Sequence, residues 1–245
     1  MRALGRWLLL ALLAGALLEV FFIARIALAA TLAPQSTTFQ RSEAWRIAHT
    51  SGRLRWSQQW VPYERISDNL KRAVIASEDD SFVNHDGVDW EALEKAWQKN
   101  EQAQERAAKQ QARTRPGAPT RPPKIVGGST ITQQLAKNLL LSGERTLLRK
   151  GQEIVLTFAL ERMLSKERIL EIYLNSVEWG EGVFGAEAAA RHYFRKSASQ
   201  LTAWEAARLA VMLPRPKYFE KVPNSGYLAS RANVIVGRMG GAELP

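Results

Sequence analysis

The chain has 245 residues, a formal net charge of +10 and a pI near 10.1. Hydrophobic residues make up 46% of it, which excludes a largely disordered chain, and the length suits one or two domains. It has no cysteine, which excludes thiol catalysis, zinc–thiolate sites and disulfides, and its basic balance asks for an anionic partner: nucleic acid, anionic lipid or a phosphorylated substrate.

The first element is apolar. From Trp7 the chain runs WLLLALLAGALLEVFFIARIALAATLA, long enough as a helix to cross a hydrocarbon layer of ~30 Å. Residues 1–6 read as a cytoplasmic tail and 7–31 as a transmembrane signal-anchor, with Arg2 and Arg6 favouring a cytoplasmic N-terminus. A cleaved signal peptide is the competing reading, since Ala27-Leu28-Ala29 resembles a cleavage site, but the apolar run exceeds the usual signal core of ~7–15 residues. Glu19 interrupts the run; a tolerated, neutral carboxyl is the simpler reading, and a partner helix that relieves its cost is the alternative.

After a juxtamembrane stretch (32–60), helical spacing appears at Asp68–Ser77 through Leu70, Ala73 and Val74. Three acids follow, Glu78, Asp79 and Asp80, with His85 and Asp86 close behind. A solvated helix end, a metal loop and a catalytic carboxylate are all compatible with that run. Trp90, Leu93 and Trp97 predict a further helix capped by Asp89. The apolar pattern then stops, and 98–124, ending TRPGAPTRPPK, reads as a flexible, basic, Pro-rich insertion.

Helical signals resume at STITQQLAKNLLL, where Ser129 or Thr130 can cap the start. Thr130, Gln133 and Lys137 share a face, so hydroxyl, amide and ammonium groups line up in a way that suits a phosphate or a sugar. Arg145, Arg149 and Glu153 step by four, with Lys150 beside them; an exposed ion-pair ladder is the simpler reading of that spacing. The stretch ITQQLAKNLLLSGERTLLRK also has the look of a DNA-binding helix-turn-helix. Ser165 caps KERILEIYLN, Thr202 and Glu205 have capping-box spacing before AWEAARLAVML, and a last helix is expected near Tyr227–Met239. No strand-like alternation stands out. Serine–lysine, His-Glu-x-x-His and Walker-type signatures are all missing.

Four motifs in order then identify a resemblance. Glu78-Asp79-x-x-Phe82-x-x-His85-x-Gly87, Gly127-Gly128-Ser129-Thr130-Ile131-Thr132-Gln133-Gln134 with Lys137-Asn138, Arg149-Lys150-x-x-Glu153, and Lys166-x-x-Ile169-Leu170-Glu171-x-Tyr173-Leu174-Asn175 are similar to those of monofunctional peptidoglycan glycosyltransferases, glycosyltransferase family 51. The resemblance runs from about Val61 to Met239.

It implies an all-α, lysozyme-like, bilobal glycosyltransferase domain over 61–240, behind an N-terminal transmembrane helix. It implies an enzyme that extends glycan chains from lipid II by inverting β-1,4 transfer, with undecaprenyl pyrophosphate leaving. The implied place is the cytoplasmic (inner) membrane, with the catalytic domain outside. Lipid II, the membrane and other cell-wall synthesis and division proteins are the implied partners; nucleic acid is not.

By resemblance, Glu78 is the general base and Asp79 supports it or holds the acceptor. Ser129, Thr130, Gln133 and Gln134 position phosphate and sugar, and Lys137, Arg145, Arg149 and Lys150 meet the pyrophosphate. Glu153 orients those cations or binds a divalent ion, magnesium or manganese, though no cofactor is implied as required. Phe82, His85, Gly87 and Asn175 are structural. Two departures stand out: the segment between the first two motifs is longer than the family's usual, and Gln152 stands where some relatives carry a basic residue.

Overall fold

The computed structural model describes residues 2–113, 127–141, 143–144 and 146–245. It opens on α1 (Arg2–Ala29), of which Ala3–Ala29 is long and apolar enough to cross a membrane, with a mean hydropathy of 2.4. Most of α1 is exposed, but Phe22, Ile26 and Ala29 are buried against the rest of the chain.

α2 (Thr38–Ser51) and β1 (Ser57–Gln58) lie in the stretch read as juxtamembrane, yet both join the globular part. Gln40 of α2 is fully buried and donates to the Ser176 carbonyl at 3.2 Å. α3 (Asp68–Glu78) carries the first acid at its last residue. α4 (Trp90–Arg113) runs well past Trp97, so the helix takes in 98–113 of the stretch expected to be a flexible insertion. Its alanines, glutamines, lysines and glutamates are good helix formers without an apolar stripe, which is why periodicity stops while the helix continues. The Pro-rich remainder, 114–126, lies outside the described residues.

Next come α5 (Ile131–Leu140), α6 (Leu147–Met163) and α7 (Lys166–Ser176). β2 (Glu178–Gly180) and β3 (Val183–Phe184) follow, then α8 (Ala186–Phe194), α9 (Ala203–Met212), α10 (Pro216–Lys221) and α11 (Gly226–Met239). The fold class is all-α, as expected. The small sheet is an addition: β3 pairs parallel to β1 and antiparallel to β2, in pieces of two or three residues that are too short to show alternation in the sequence.

The helices pack as two groups. α3, α9 and α11 lean on one another, while α5 is surrounded by α2, α6 and α7. α5 buries Ile131, Thr132, Gln133, Leu135, Ala136, Leu139 and Leu140. α5 is therefore a core helix, packed on by three others. Asn175 ties α7 to the chain before α3: its side chain accepts from Val61 N and donates to Val61 O, both at 2.9 Å. Trp179, fully buried, donates to the Leu209 carbonyl at 3.1 Å and so joins the sheet to α9.

Glu19 has a partner. Its carboxyl accepts from Gln152 Nε2 of α6 at 2.9 Å. A lone carboxyl in an apolar span is costly, and an amide donor offsets part of that cost. At the other end of α1, Arg168 donates to the carbonyls of Ala29 and Leu32, both at 2.8 Å. The apolar helix is therefore docked on α6 and α7 at two levels. Arg168→Ala should remove these bonds at a cost of about 1–3 kcal/mol. Thermal unfolding of the full chain in detergent should show a midpoint about 2–12 °C lower. An unchanged midpoint would mean that the docking contributes nothing to stability.

Candidate active site

The site is assembled around the N-terminus of α5. Thr130 is the N-cap: its hydroxyl accepts from Gln133 N at 3.2 Å, and Gln133 Oε1 accepts from Thr130 N at 3.1 Å, a reciprocal capping box. The Thr130 hydroxyl also donates to the Gly87 carbonyl at 2.6 Å. Gly87 holds φ +90°, a left-handed conformation, and a Cβ there would fall 2.6 Å from Thr157 Cγ2, so no other residue fits the turn without displacement.

Asp79 closes the joint. One carboxylate oxygen accepts from Ile131 N, the first amide of α5, and the other faces His85 Nε2, both at 2.9 Å. Gly87 N donates to His85 Nδ1 at 3.0 Å, which leaves the ring proton of a neutral His85 on Nε2, pointing at Asp79. A helix N-terminus attracts an anion, and here the anion is a side chain of the protein. Of the two residues expected among the phosphate and sugar contacts, Thr130 has its hydroxyl engaged by the cap and by Gly87, while Gln133 commits its Oε1 to the cap and still lines the cleft described below.

Phe82 is fully buried, with Lys166 Nζ 4.6 Å from its ring centre. Lys166 also donates to the His85 carbonyl at 2.6 Å and to Glu161 at 2.9 Å. The first and fourth motifs are thus in direct contact.

Glu78, at the end of α3, accepts from Gln134 Nε2 at 3.0 Å. Gln134 Oε1 in turn accepts from the Tyr173 hydroxyl at 3.0 Å. Burial pushes the Glu78 carboxyl above its ordinary value; the Gln134 hydrogen bond and the Lys137 charge pull it back, and the Asp79 charge adds to the rise. Asp80, by contrast, is exposed and pairs with Arg238 at 3.1 Å.

Beside this group opens a cleft of about 760 Å3. Ser129, Gln133, Gln134 and Lys137 line it from α5 and its approach, and Arg149, Lys150 and Glu153 from α6. Glu153 is buried and takes Arg149 at 2.8 Å on one oxygen and Lys150 on the other. Arg149 Nε is buried without a hydrogen-bond partner. The pair of cations is held by one carboxylate whose two oxygens are both engaged. Among the described residues no cluster of three or more potential metal ligands exists. Arg145 lies outside the described residues, and α6 begins two positions after it with Thr146 as N-cap.

A family profile described as Transglycosylase matches residues 46–240, four-fifths of the chain and nearly all of it beyond the apolar helix. The chain belongs to the transglycosylase family. It is 52% identical over 248 residues to a protein of Burkholderia thailandensis named biosynthetic peptidoglycan transglycosylase, covering 100% of this chain and 90% of the relative. A protein of the same name from Paraburkholderia xenovorans is 53% identical over 228 residues, with 93% and 87% covered. One from Burkholderia orbicola is 51% identical over 247 residues, with 99% and 94% covered.

This transglycosylase carries a cleft residue that no motif announced. Glu178 lines it beside Asn138 of the second motif. Glu178 sits in β2, is 5% exposed, and has one oxygen without a hydrogen bond; Lys217 Nζ is 3.5 Å away. Burial pushes its carboxyl up to about 7, with the Lys217 charge opposing. Only the burial of this short strand reveals the shift, and no sequence pattern carries it.

A carboxyl raised from 4.5 to about 7 favours the folded state while protonated. Its contribution is complete below 4.5 and is lost as the pH rises through about 7. Glu178→Gln removes that loss. The variant's thermal midpoint should gain on the native chain between those two pH values, and a gap that stays constant with pH would show that Glu178 titrates normally.

Proposed function

We propose that this transglycosylase polymerises the glycan strands of peptidoglycan at the outer face of the cytoplasmic membrane. In this reading the donor is a glycan chain on undecaprenyl pyrophosphate and the acceptor is lipid II. The acceptor sugar hydroxyl attacks the donor anomeric carbon, a new C–O bond forms with inversion to the β-1,4 linkage, and the bond to the pyrophosphate breaks. The electron pair leaves with the pyrophosphate, and the hydroxyl proton goes to Glu78.

One observation carries the reading: Gln134 both lines the cationic cleft and holds the buried Glu78 carboxylate. A base needs a carboxylate basic enough to take a proton yet ionised at the working pH. Burial supplies the first condition; Gln134 and Lys137 supply the second. The leaving group needs positive charge rather than an acid, and Lys137, Arg149 and Lys150 line the same cleft. Glu153 keeps Arg149 and Lys150 together, so its role is to orient cations. Ser129 faces the cleft and suits a phosphate oxygen; Arg145 follows the same logic by its place in the sequence. Gln133 lines the cleft beside Gln134 and suits a sugar or phosphate, while Asp79 and Thr130 support the site from beneath and Phe82, His85, Gly87 and Asn175 hold the surrounding turns.

The apolar helix suits a single-pass anchor with residues 1–6 in the cytoplasm and the domain outside. α6, on which the anchor docks, leaves Leu147, Leu148 and Val155 exposed, which favours a domain seated against lipid. Chains growing on a lipid carrier would then meet the cleft without leaving the membrane.

Glu78→Gln keeps the shape and the Gln134 contact but cannot accept a proton. Polymerisation of purified lipid II should fall by about 100- to 10,000-fold, with helical circular dichroism unchanged. Turnover within a few-fold of the native rate would remove Glu78 as the base.

A further inference from the structure

We propose that Tyr173 is a positioning residue for the base: its hydroxyl fixes which end of the Gln134 amide faces Glu78. The inference rests on Glu78 being the base and adds a residue on another helix that keeps it working.

The geometry is a short chain across three helices. Tyr173 on α7 donates to Gln134 Oε1 at 3.0 Å, and Gln134 on α5 donates to Glu78 Oε2 on α3 at 3.0 Å. Tyr173 is 1% exposed, and this is the hydrogen bond its hydroxyl makes among the described residues.

A carboxamide has two unlike ends, and they can exchange by rotation. In the observed orientation the phenol proton meets the amide oxygen, and the amide N–H meets the carboxylate. In the flipped orientation the amide oxygen would face Glu78, which repels a carboxylate and welcomes a carboxylic acid. The phenol proton would then lose its acceptor in a buried place, a costly outcome. The hydroxyl therefore favours the amide orientation that stabilises the ionised base.

The charged neighbours of Glu78 act on it through their charge: Asp79, beside it on α3, raises its proton affinity, and Lys137 on α5 lowers it. Tyr173 stays a donor throughout, because burial and the charges of Glu78 and Asp79 hold its phenol well above its ordinary value.

Tyr173→Phe removes one oxygen and leaves the packing intact. The full-length chain in detergent, turning over lipid II, should lose up to roughly tenfold in kcat on the acidic limb of its rate profile, the scale of one net hydrogen bond. The loss should shrink as the pH rises, because the acidic limb of the rate profile moves to higher pH. Gln134→Leu should move the limb the same way, and Tyr173→Phe in that background should move it no further. A purely structural role for Tyr173 would lower the rate equally at every pH. Such a uniform loss, or an unmoved limb in either single variant, overturns the proposal. If Tyr173→Phe does not fold, Gln134→Leu with its limb unmoved still overturns it. An active Glu78→Gln would instead overturn the reading of the base, so the two failures are distinguishable.

Discussion

The carboxylate of Asp79 is the joint on which the site is built. One oxygen takes the first amide of α5, the other faces His85, and both contacts are 2.9 Å long in a nearly dry setting. A buried carboxylate is tolerable only when its lone pairs are used, and these two contacts use them on different motifs. The consequence is positional. The end of α3 is fixed against the start of α5, so Glu78, one residue before Asp79, must lie beside Gln134, three residues into α5. The Thr130–Gly87 bond and the Lys166–His85 bond then hold the intervening turn from both sides.

From that joint the site divides by charge. On one side stands a carboxyl made more basic by burial and kept ionised by an amide and an ammonium. On the other stand Arg149 and Lys150, gathered by Glu153 on a single helix face. Gln134 and Lys137 belong to both sides. A displacement reaction that releases a pyrophosphate needs this division, since the attacking oxygen sheds a proton while the departing one gathers negative charge. The docking of α1 extends the arrangement. Gln152, which binds Glu19, is the immediate neighbour of Glu153, so the apolar helix and the paired cations are carried by one turn of α6.

Much of this could be read from the residues in order. The capping box at Thr202–Glu205, the cap at Ser165 and the apolar faces of the later helices all appear where their spacing puts them. Those signals are local, and local chemistry survives folding. The features that escaped depend on contacts between distant segments. Thr130 looked free for a ligand because spacing does not reveal that the cap and Gly87 engage its hydroxyl. Asp79 looked like one acid among three, since nothing in the run says that α5 starts fifty residues later at its side chain. The raised carboxyl of Glu178 comes from burial in a three-residue strand, and the partner of Glu19 lies 133 residues away. The far half of α4 was missed for a different reason: its partly buried stripe is Asn100, Ala103 and Ala107, small or polar residues that give little apolar period to detect.

The central claim is that a buried carboxylate, more basic than usual, takes the proton of the attacking hydroxyl. The pH dependence of kcat/KM for lipid II polymerisation by the native chain reports that group in the free enzyme. The account predicts a rate that falls on the acidic side through a single ionisation lying above the ordinary glutamate value of 4.5. A rate that stays flat down to that value, or a limb centred on it, would contradict the account.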